Sequence, residues 1–291
     1  MRRISLIAMA LSLSACAPTA NDATPAAQPT ESKSGTEATV AATSPPGDQV
    51  TIERVFDGDS FLAVTDGGEA EIRMLGINAP EGDECHGSAA RETLERFLAS
   101  GTITLVADGE DRDQYGRLLR YVYVDGLNVN LALLAGGDAV ALQGDHSLDT
   151  RFSSVGDIAA NDTLGLWAPD ACGSEVLPDI QILDYVYNPP GRDEENMNSE
   201  WVAVVNRDAA PINLGGWVLR DESSRHRFSF PANFILVPGA DVLVHSGCDE
   251  DTQANLYWCA AGPVWSNGGD TIILQLGDGT VVARERFAGD F

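Results

Sequence analysis

Short strands separated by turn residues recur along this chain from residue 49 onwards, and this pattern restricts its fold more than any other feature. In the first half, alternating apolar residues predict strands at 50–55, 60–64, 70–75, 102–107 and 118–124. Ala90, Leu94 and Leu98 have helical spacing and predict a helix from Gly87, and two more helices are expected at 128–134 and 150–160. Five strands with interspersed helices predict a small β-barrel of the OB type.

The second half of the chain has an almost purely β pattern. Strands are predicted at 180–187, 201–205, 217–220, 228–230, 242–245 and 271–276, with Gly, Pro or Asn between them. That pattern predicts a β-sandwich. A chain of 291 residues with 44% apolar content can build two cores, so we expect a mainly β protein with domains at 49–172 and 178–291.

The first 48 residues have the composition of a targeting segment followed by a linker. Arg2 and Arg3 precede an apolar run at 4–13, which is too short to span a bilayer. Residues 13–16 are Leu-Ser-Ala-Cys, which resembles the lipobox of bacterial lipoproteins. The resemblance implies a signal peptide at 1–15, a lipid on Cys16 and a membrane anchor facing the extracytoplasmic side of the cell envelope. The alternative is an ordinary cleaved signal peptide with an incidental cysteine, and in both cases residues 16–48 predict a flexible linker.

The cysteine count fits an oxidising compartment. Four cysteines remain beyond Cys16, and an even number is typical of exported proteins with disulfides. Four cysteines allow three pairings. The simplest keeps each bridge inside one domain and joins Cys85 to Cys172 and Cys248 to Cys259.

The charge of the chain argues against a polyanionic partner. The formal net charge is −26, and loss of Arg2 and Arg3 would make it −28, from 16 basic and 44 acidic residues. Such a surface repels nucleic acid and slows its association. A local cluster of arginines could still hold a phosphate group.

Three segments of the first domain concentrate charged residues near glycines, at 57–60, 73–81 and 113–117. Each alone is consistent with an ordinary turn. Together they supply what phosphodiester hydrolysis needs. Carboxylate and amide oxygens hold a hard divalent cation, a further carboxylate deprotonates water, and two guanidinium groups stabilise the phosphorane-like transition state.

On these three segments the domain resembles the staphylococcal nuclease family, over residues 49–172 and with Gly165-Leu166-Trp167 closing it. The resemblance implies a calcium-dependent nuclease acting on single-stranded DNA or RNA. It assigns roles to six residues of this chain: Asp59 and Asp57 to the calcium ion, Arg73 and Arg117 to the phosphate, Glu81 to general base catalysis and Tyr115 to substrate binding.

The chain departs from that family at three places. Asn78 stands where the best-known member has a second calcium-binding aspartate, and Ala79 stands where it has a threonine. An amide oxygen and the Ala79 carbonyl could still bind the ion, but the smaller ligand charge predicts a weaker calcium affinity. The tyrosine pair on which the nucleotide base stacks in the family is not found around residues 142–146.

The second half resembles the lamin tail domain over residues 180–287. The resemblance rests on Asn188-Pro189-Pro190-Gly191, Trp201, Leu214-Gly215-Gly216-Trp217 and the segment 265–270. It implies an immunoglobulin-like β-sandwich in which the tryptophans pack into the core. These motifs mostly specify turns and core positions, so they imply the fold far more than an activity. We expect a role in binding or presentation, towards nucleic acid, a cell-envelope component or another protein.

Three functions are therefore in competition. The first is a lipid-anchored nuclease, favoured by the joint presence of Asp59, Arg73, Glu81 and Arg117. The second is a non-catalytic surface protein whose two domains bind nucleic acid or envelope components, favoured by the net charge and by Asn78. The third makes the sandwich an adhesin.

Overall fold

The structure is a computed structural model, and it describes residues 44–173, 176–223 and 225–289. The predicted signal peptide at 1–15, the lipidation site Cys16 and the predicted linker up to residue 43 lie outside the described residues. Within the described part of the chain, no helix is both long enough and apolar enough to cross a membrane.

The first domain is a closed β-barrel with three helices. Its elements in chain order are β1 (Asp48–Val55), β2 (Ser60–Thr65), β3 (Gly68–Met74), β4 (Ile77–Asn78), α1 (Gly87–Leu98), β5 (Ile103–Val106), β6 (Leu118–Val124), β7 (Leu127–Asn128), α2 (Val129–Gly136), β8 (Val140–Ala141) and α3 (Asp149–Asn161). Antiparallel pairs join β3, β2, β1, β5 and β6 in that order, and a parallel pairing of β3 with β6 closes the ring. The predicted OB-type barrel is confirmed.

The strands of the barrel supply apolar side chains that fill its interior. Phe61 of β2, Ile72 of β3 and Val122 of β6 are fully buried and belong to the apolar core inside the barrel. Leu94 of α1 and Leu133 of α2 pack on the same core, so the helices cover the barrel with their apolar faces. Burying such side chains stabilises the fold by about 1.5–3 kcal/mol each.

The second domain is a β-sandwich, as predicted. Its strands are β9 (Ile180–Val186), β10 (Trp201–Asn206), β11 (Ile212–Asn213), β12 (Val218–Arg220), β13 (Arg227–Ser229), β14 (Ile235–Leu236), β15 (Asp241–His245), β16 (Asn255–Tyr257), β17 (Gly269–Gln275) and β18 (Val281–Ala288). One sheet has the order β16-β15-β10-β9 and the other β13-β12-β17-β18. Trp217 and Trp265 are buried between them, whereas Trp201 is half-buried at the start of β10.

Both predicted disulfides are formed. Cys85 is bonded to Cys172 within the first domain, with a Cα–Cα distance of 5.4 Å. Cys248 is bonded to Cys259 within the second, with a Cα–Cα distance of 4.3 Å. The first bridge ties the start of α1 to the segment that leaves the barrel domain.

The two domains belong to one compact unit and share a small apolar core. Trp167, at the end of the first domain, packs with Val140 and Ala159 on one side and with Ile273 of β17 on the other. Arg284 of β18 lies over the Trp167 ring, 5.4 Å from its centre, and forms an ion pair with Asp157 of α3. The sandwich is therefore packed directly on the barrel domain.

Candidate active site

Barrel closure brings the three charged segments together. In the β2–β3 hairpin Ser60 pairs with Arg73, so Asp59 lies beside the end of β3, and its carbonyl oxygen accepts from the Met74 N–H at 2.8 Å. In the parallel β3–β6 pairing Arg73 lies opposite Leu119, which places Arg117, just before β6, at the same rim of the barrel. The site therefore depends on a pairing between strands that are far apart in the sequence.

The turn before β2 is held by its own side chains. The Asp57 carboxylate accepts from the Asp59 N–H at 2.9 Å and from the Ser60 hydroxyl at 2.7 Å. Gly58 is required between the two aspartates by close packing. An added Cβ there would lie 2.7 Å from the Cβ atoms of both Ala79 and Ala90.

Asp59 is a buried carboxylate, 4% exposed. It accepts from the Ala79 N–H at 2.6 Å, and Arg73 Nη2 lies 3.2 Å from its Oδ2. Burial raises the pKa of Asp59 to about 7, although the Arg73 charge opposes that shift; the neighbouring Asp57 adds to it. A carboxylate in this environment is stabilised by a second positive charge.

Arg73 is held by four acceptors around its guanidinium group. Nη1 donates to the carbonyl oxygens of Met74 and Ile77 at 2.9 and 2.7 Å. Nη2 donates to Asn78 Oδ1 at 3.0 Å and also forms the Asp59 pair. The Arg73 side chain is thus oriented by two nearby backbone carbonyl groups and by Asp59 and Asn78, which the sequence predicts as cation ligands.

Arg117 presents the more accessible guanidinium group, with its side chain 25% exposed. Its Nε donates to Asp113 Oδ2 at 2.7 Å, and its main-chain N–H donates to Asp113 Oδ1 at 3.0 Å. Although partial burial opposes the shift, these bonds lower the pKa of Asp113. The guanidinium carbon lies 5.6 Å from the centre of the Tyr115 ring, which is 70% exposed and open to a substrate. Among the described residues, no hydrogen-bond partner is found for the two terminal nitrogens of Arg117.

Glu81 lies on the exposed loop between β4 and α1. Partial desolvation, together with the Asp57 and Glu84 carboxylates, raises the pKa of Glu81, and the charges of Arg73 and Arg117 act against this. The Glu81 carboxylate is therefore within the electrostatic influence of both arginines and of Asp57. A raised pKa makes a carboxylate a stronger general base.

Asn78 is the site residue that contacts the second domain. The residue is buried, and its side-chain N–H donates to the carbonyl oxygen of Glu222 at 3.1 Å. Glu222 follows β12, 144 positions along the chain. The sequence motifs contain no signal for this contact, because Glu222 belongs to none of them and lies in the other domain.

The donor set fits a weakly held hard cation. Asp57 and Asp59 could supply carboxylate oxygens, and Asn78 and Ala79 could supply neutral ones, all oxygen types that a hard cation takes. Within the described residues, no group of three or more His, Cys, Asp or Glu side chains is arranged to hold a metal ion. The weak calcium affinity expected from the sequence therefore stays a prediction.

Fold and site together define a class: an OB-barrel protein whose rim combines carboxylates and arginines suited to a phosphate ester. Comparisons with known proteins identify the family. Residues 71–169 match the model described as Staphylococcal nuclease homologue, and residues 174–288 match the Lamin Tail Domain.

Individual relatives agree with these matches. The chain is 33% identical over 129 residues to endonuclease YncB of Bacillus subtilis (strain 168), a match covering 41% of this chain and 61% of that protein. It is 31% identical over 101 residues to the thermonuclease of Staphylococcus intermedius, covering 33% and 60%. It is 30% identical over 118 residues to an uncharacterized endonuclease of Escherichia coli, covering 40% and 75%. The chain belongs to the staphylococcal nuclease family, although it spans less than two thirds of YncB and of the thermonuclease.

Proposed function

We propose that this protein is a nuclease that hydrolyses phosphodiester bonds of DNA or RNA and uses a calcium ion. The observation that carries the proposal is the Asp59–Arg73 pair at the barrel rim, together with the charges of Asp57, Arg73 and Arg117, which all act on the Glu81 carboxylate. The names of the relatives, endonuclease and thermonuclease, support the same activity. A pure binding protein gains nothing from a carboxylate facing a phosphate.

Each residue has a distinct role in the reaction. Glu81 accepts a proton from a water molecule as the water oxygen attacks phosphorus. The bond from phosphorus to the leaving oxygen breaks, and that oxygen takes up a proton from solvent. Arg117 donates from its terminal nitrogens to the phosphate oxygens, while Tyr115 borders the same position. Arg73 contributes its fixed charge, which costs no reorganisation as negative charge develops.

Asp57, Asp59, Asn78 and Ala79 would hold the calcium ion. When bound, the ion would supply positive charge next to the phosphate. It would also compensate the buried Asp59 carboxylate, which Arg73 otherwise neutralises alone. Asn78 in place of a carboxylate makes the expected affinity weaker than that of a three-carboxylate site.

The acidic surface affects the rate of encounter more than the chemistry. With a net charge of −26, the protein as a whole repels a nucleic acid strand, and salt weakens this repulsion. The two arginines act at contact distance, where screening has little effect. We therefore expect substrate association to become faster as the salt concentration rises from a low value.

A direct assay tests the activity. The purified full chain is incubated with labelled single-stranded DNA, single-stranded RNA and duplex DNA, each with calcium and with a chelator. We expect cleavage with calcium and its loss with chelator. Equal absence of cleavage in all tubes would contradict the proposal, and binding without cleavage would favour the non-catalytic alternative.

We also propose that the protein is exported and anchored by a lipid on Cys16. The Leu-Ser-Ala-Cys sequence at 13–16 supports this, as do the two disulfides, which are typical of oxidising compartments. Expression with a labelled fatty acid, followed by membrane fractionation, tests the anchor. The label and membrane retention should both disappear in Cys16→Ser, and an unchanged distribution would contradict the proposal.

A further inference from the structure

Two residues of the second domain contact the loop that carries Glu81. We call residues 78–84 the catalytic loop. At its first residue, Asn78 donates to the Glu222 carbonyl oxygen at 3.1 Å. At its last residue, Glu84 Oε1 pairs with Arg227 Nη2 at 2.5 Å. Glu222 and Arg227 flank the same turn, between β12 and β13, so one turn of the sandwich holds both ends of the loop.

Glu222 is itself firmly held. It is 5% exposed, and its carboxylate accepts from the Gln143 N–H of the barrel domain and from the Thr271 hydroxyl of β17, the latter at 3.1 Å. Arg220 Nη1 donates to the carbonyl oxygen of the intervening Asp221 at 3.1 Å. The Glu222 carbonyl therefore has a fixed position relative to both domains.

The Arg227 contact reaches Glu81 through Glu84. While Glu84 Oε1 pairs with Arg227, its other oxygen, Oε2, accepts from the Glu81 N–H at 3.1 Å. The Glu84 side chain is thus fixed from one side by the second domain and orients the backbone of Glu81 on the other. Arg227 contacts no reacting group itself.

We propose that the second domain positions the active site, with Glu222 holding Asn78 and Arg227 holding Glu84, so that the sandwich is part of the catalytic unit. The proposal rests on the proposed function for its kinetic part. It also accounts for the residue at 78. An amide donates to Glu222 and accepts from Arg73 at once, whereas an aspartate would place a second acceptor against a buried carbonyl oxygen.

The first test is Asn78→Asp in the full chain, measured by calorimetric titration with calcium. A carboxylate is by charge the stronger calcium ligand, so a barrel acting alone would gain affinity. We expect the opposite: a calcium affinity lower by roughly tenfold or more, the usual effect of losing a partner that orients a ligand. Equal or tighter binding would overturn the proposal.

The matched control is Asn128→Asp. Asn128 caps α2 by accepting from the Leu131 N–H at 2.9 Å, and its side-chain nitrogen has no partner among the described residues. An aspartate fulfils the same role there, so the added charge is the same but no donor bond is lost. This variant should bind calcium as the wild type does.

The second test separates positioning from folding. We expect Arg227→Ala to lower kcat roughly tenfold or more, because displacing a catalytic group by a fraction of an ångström slows chemistry, while the calcium affinity stays unchanged. Arg227→Lys should restore most of the rate. Arg286→Ala, which removes an interface pair with Asp157 at 3.4 Å, should leave kcat unchanged. An equal loss in Arg286→Ala would overturn the proposal.

The outcomes distinguish this inference from the proposed function. If the wild type binds calcium but cleaves no strand, the nuclease proposal fails, and the Asn78→Asp titration still decides the positioning of Asn78. If the wild type binds no calcium, denaturant unfolding in chelator decides instead. Asn78→Asp should then unfold at lower denaturant than Asn128→Asp, and coincident curves would overturn the inference.

Discussion

Arg73 neutralises the buried carboxylate of Asp59, with Nη2 lying 3.2 Å from Oδ2. The pair joins two functions that the sequence assigns separately, since Asp59 is a predicted cation ligand and Arg73 a predicted phosphate ligand. If Asp59 holds the proposed calcium ion, the ion would compete with Arg73 for this carboxylate. The side of Nη2 that faces Asp59 would then be available to a phosphate, while the bonds to Met74, Ile77 and Asn78 keep the guanidinium group in place.

This competition predicts that calcium and substrate strengthen each other's binding. A cleavage-resistant phosphorothioate strand should bind more tightly with calcium than with chelator, and the strand should tighten calcium binding by the same factor. Fluorescence anisotropy and calorimetry measure the two sides of this linkage. Strand affinities that are identical with and without calcium would contradict it.

Arg117→Lys should slow cleavage by roughly a hundredfold, the usual scale for one lost electrostatic group. Lysine keeps the charge but loses the planar donor pair and the contact with Tyr115. Steady-state kinetics on a single-stranded substrate measure the change. Arg91→Lys, on the exposed face of α1, is the control and should retain the full rate; a full rate for Arg117→Lys would remove Arg117 from the mechanism.

Folding stability should fall as the pH rises from about 5 to above 8. Burial raises the pKa of Glu222 to about 8, and the Asp270 charge adds to that shift. Burial also raises the pKa of Asp270 to about 7, and the Asp221 charge adds to that shift. The unfolded chain loses both protons near the ordinary carboxylate pKa while the folded chain keeps them, so a rising pH favours unfolding across this window. The loss is on the order of a few kcal/mol.

Melting temperatures across this pH range test the prediction. Glu222→Gln should flatten part of the decline, because a glutamine accepts from the Gln143 N–H and has no proton to lose. Glu92→Gln, on the exposed face of α1, should leave the curve unchanged apart from the net charge. A wild-type melting temperature that rises with pH would show that these two groups ionise normally.

Trp167→Ala should destabilise the protein by about 3–5 kcal/mol, the usual cost of truncating a buried tryptophan. The residue packs with Ile273 across the domain boundary, so both domains should lose stability together. Trp167→Phe should cost less, because the Trp167 ring nitrogen has no hydrogen-bond partner among the described residues. Denaturant unfolding followed by fluorescence and circular dichroism measures both. Two separate transitions in the wild type would show that the interface does not couple the domains.

The strands and the site residues were predictable from the sequence for different reasons. Alternation between apolar and polar residues predicts β2 and β3. The Asp-Gly pair in Asp57-Gly58-Asp59 predicts the turn before β2. β18 was not predicted, although it is the longest strand of the sandwich, because only Phe287 in it is fully buried and its pattern is weak. Short pairs such as β4 with β8 have too few residues for any period to show.

The remaining part of the site depends on contacts between distant residues. Nothing in the order of residues pairs β3 with β6 in parallel, yet that pairing brings Arg73 and Arg117 to one rim. Asn78 departs from the family pattern, and the sequence offers no reason for it. In the structure its amide donates to the Glu222 carbonyl oxygen, a bond that an aspartate could not form. A sequence motif records which residue types are present, and a partner 144 positions away lies outside any motif.

The most direct test of the central claim is the cleavage rate of Glu81→Gln compared with that of Glu92→Gln. Glutamine keeps the size of the side chain and removes its capacity to accept the proton of the attacking water. We predict a rate at saturating calcium that is lower by roughly a hundredfold or more for Glu81→Gln, with strand binding retained and Glu92→Gln unaffected. A Glu81→Gln variant that cleaves at the wild-type rate would contradict the account.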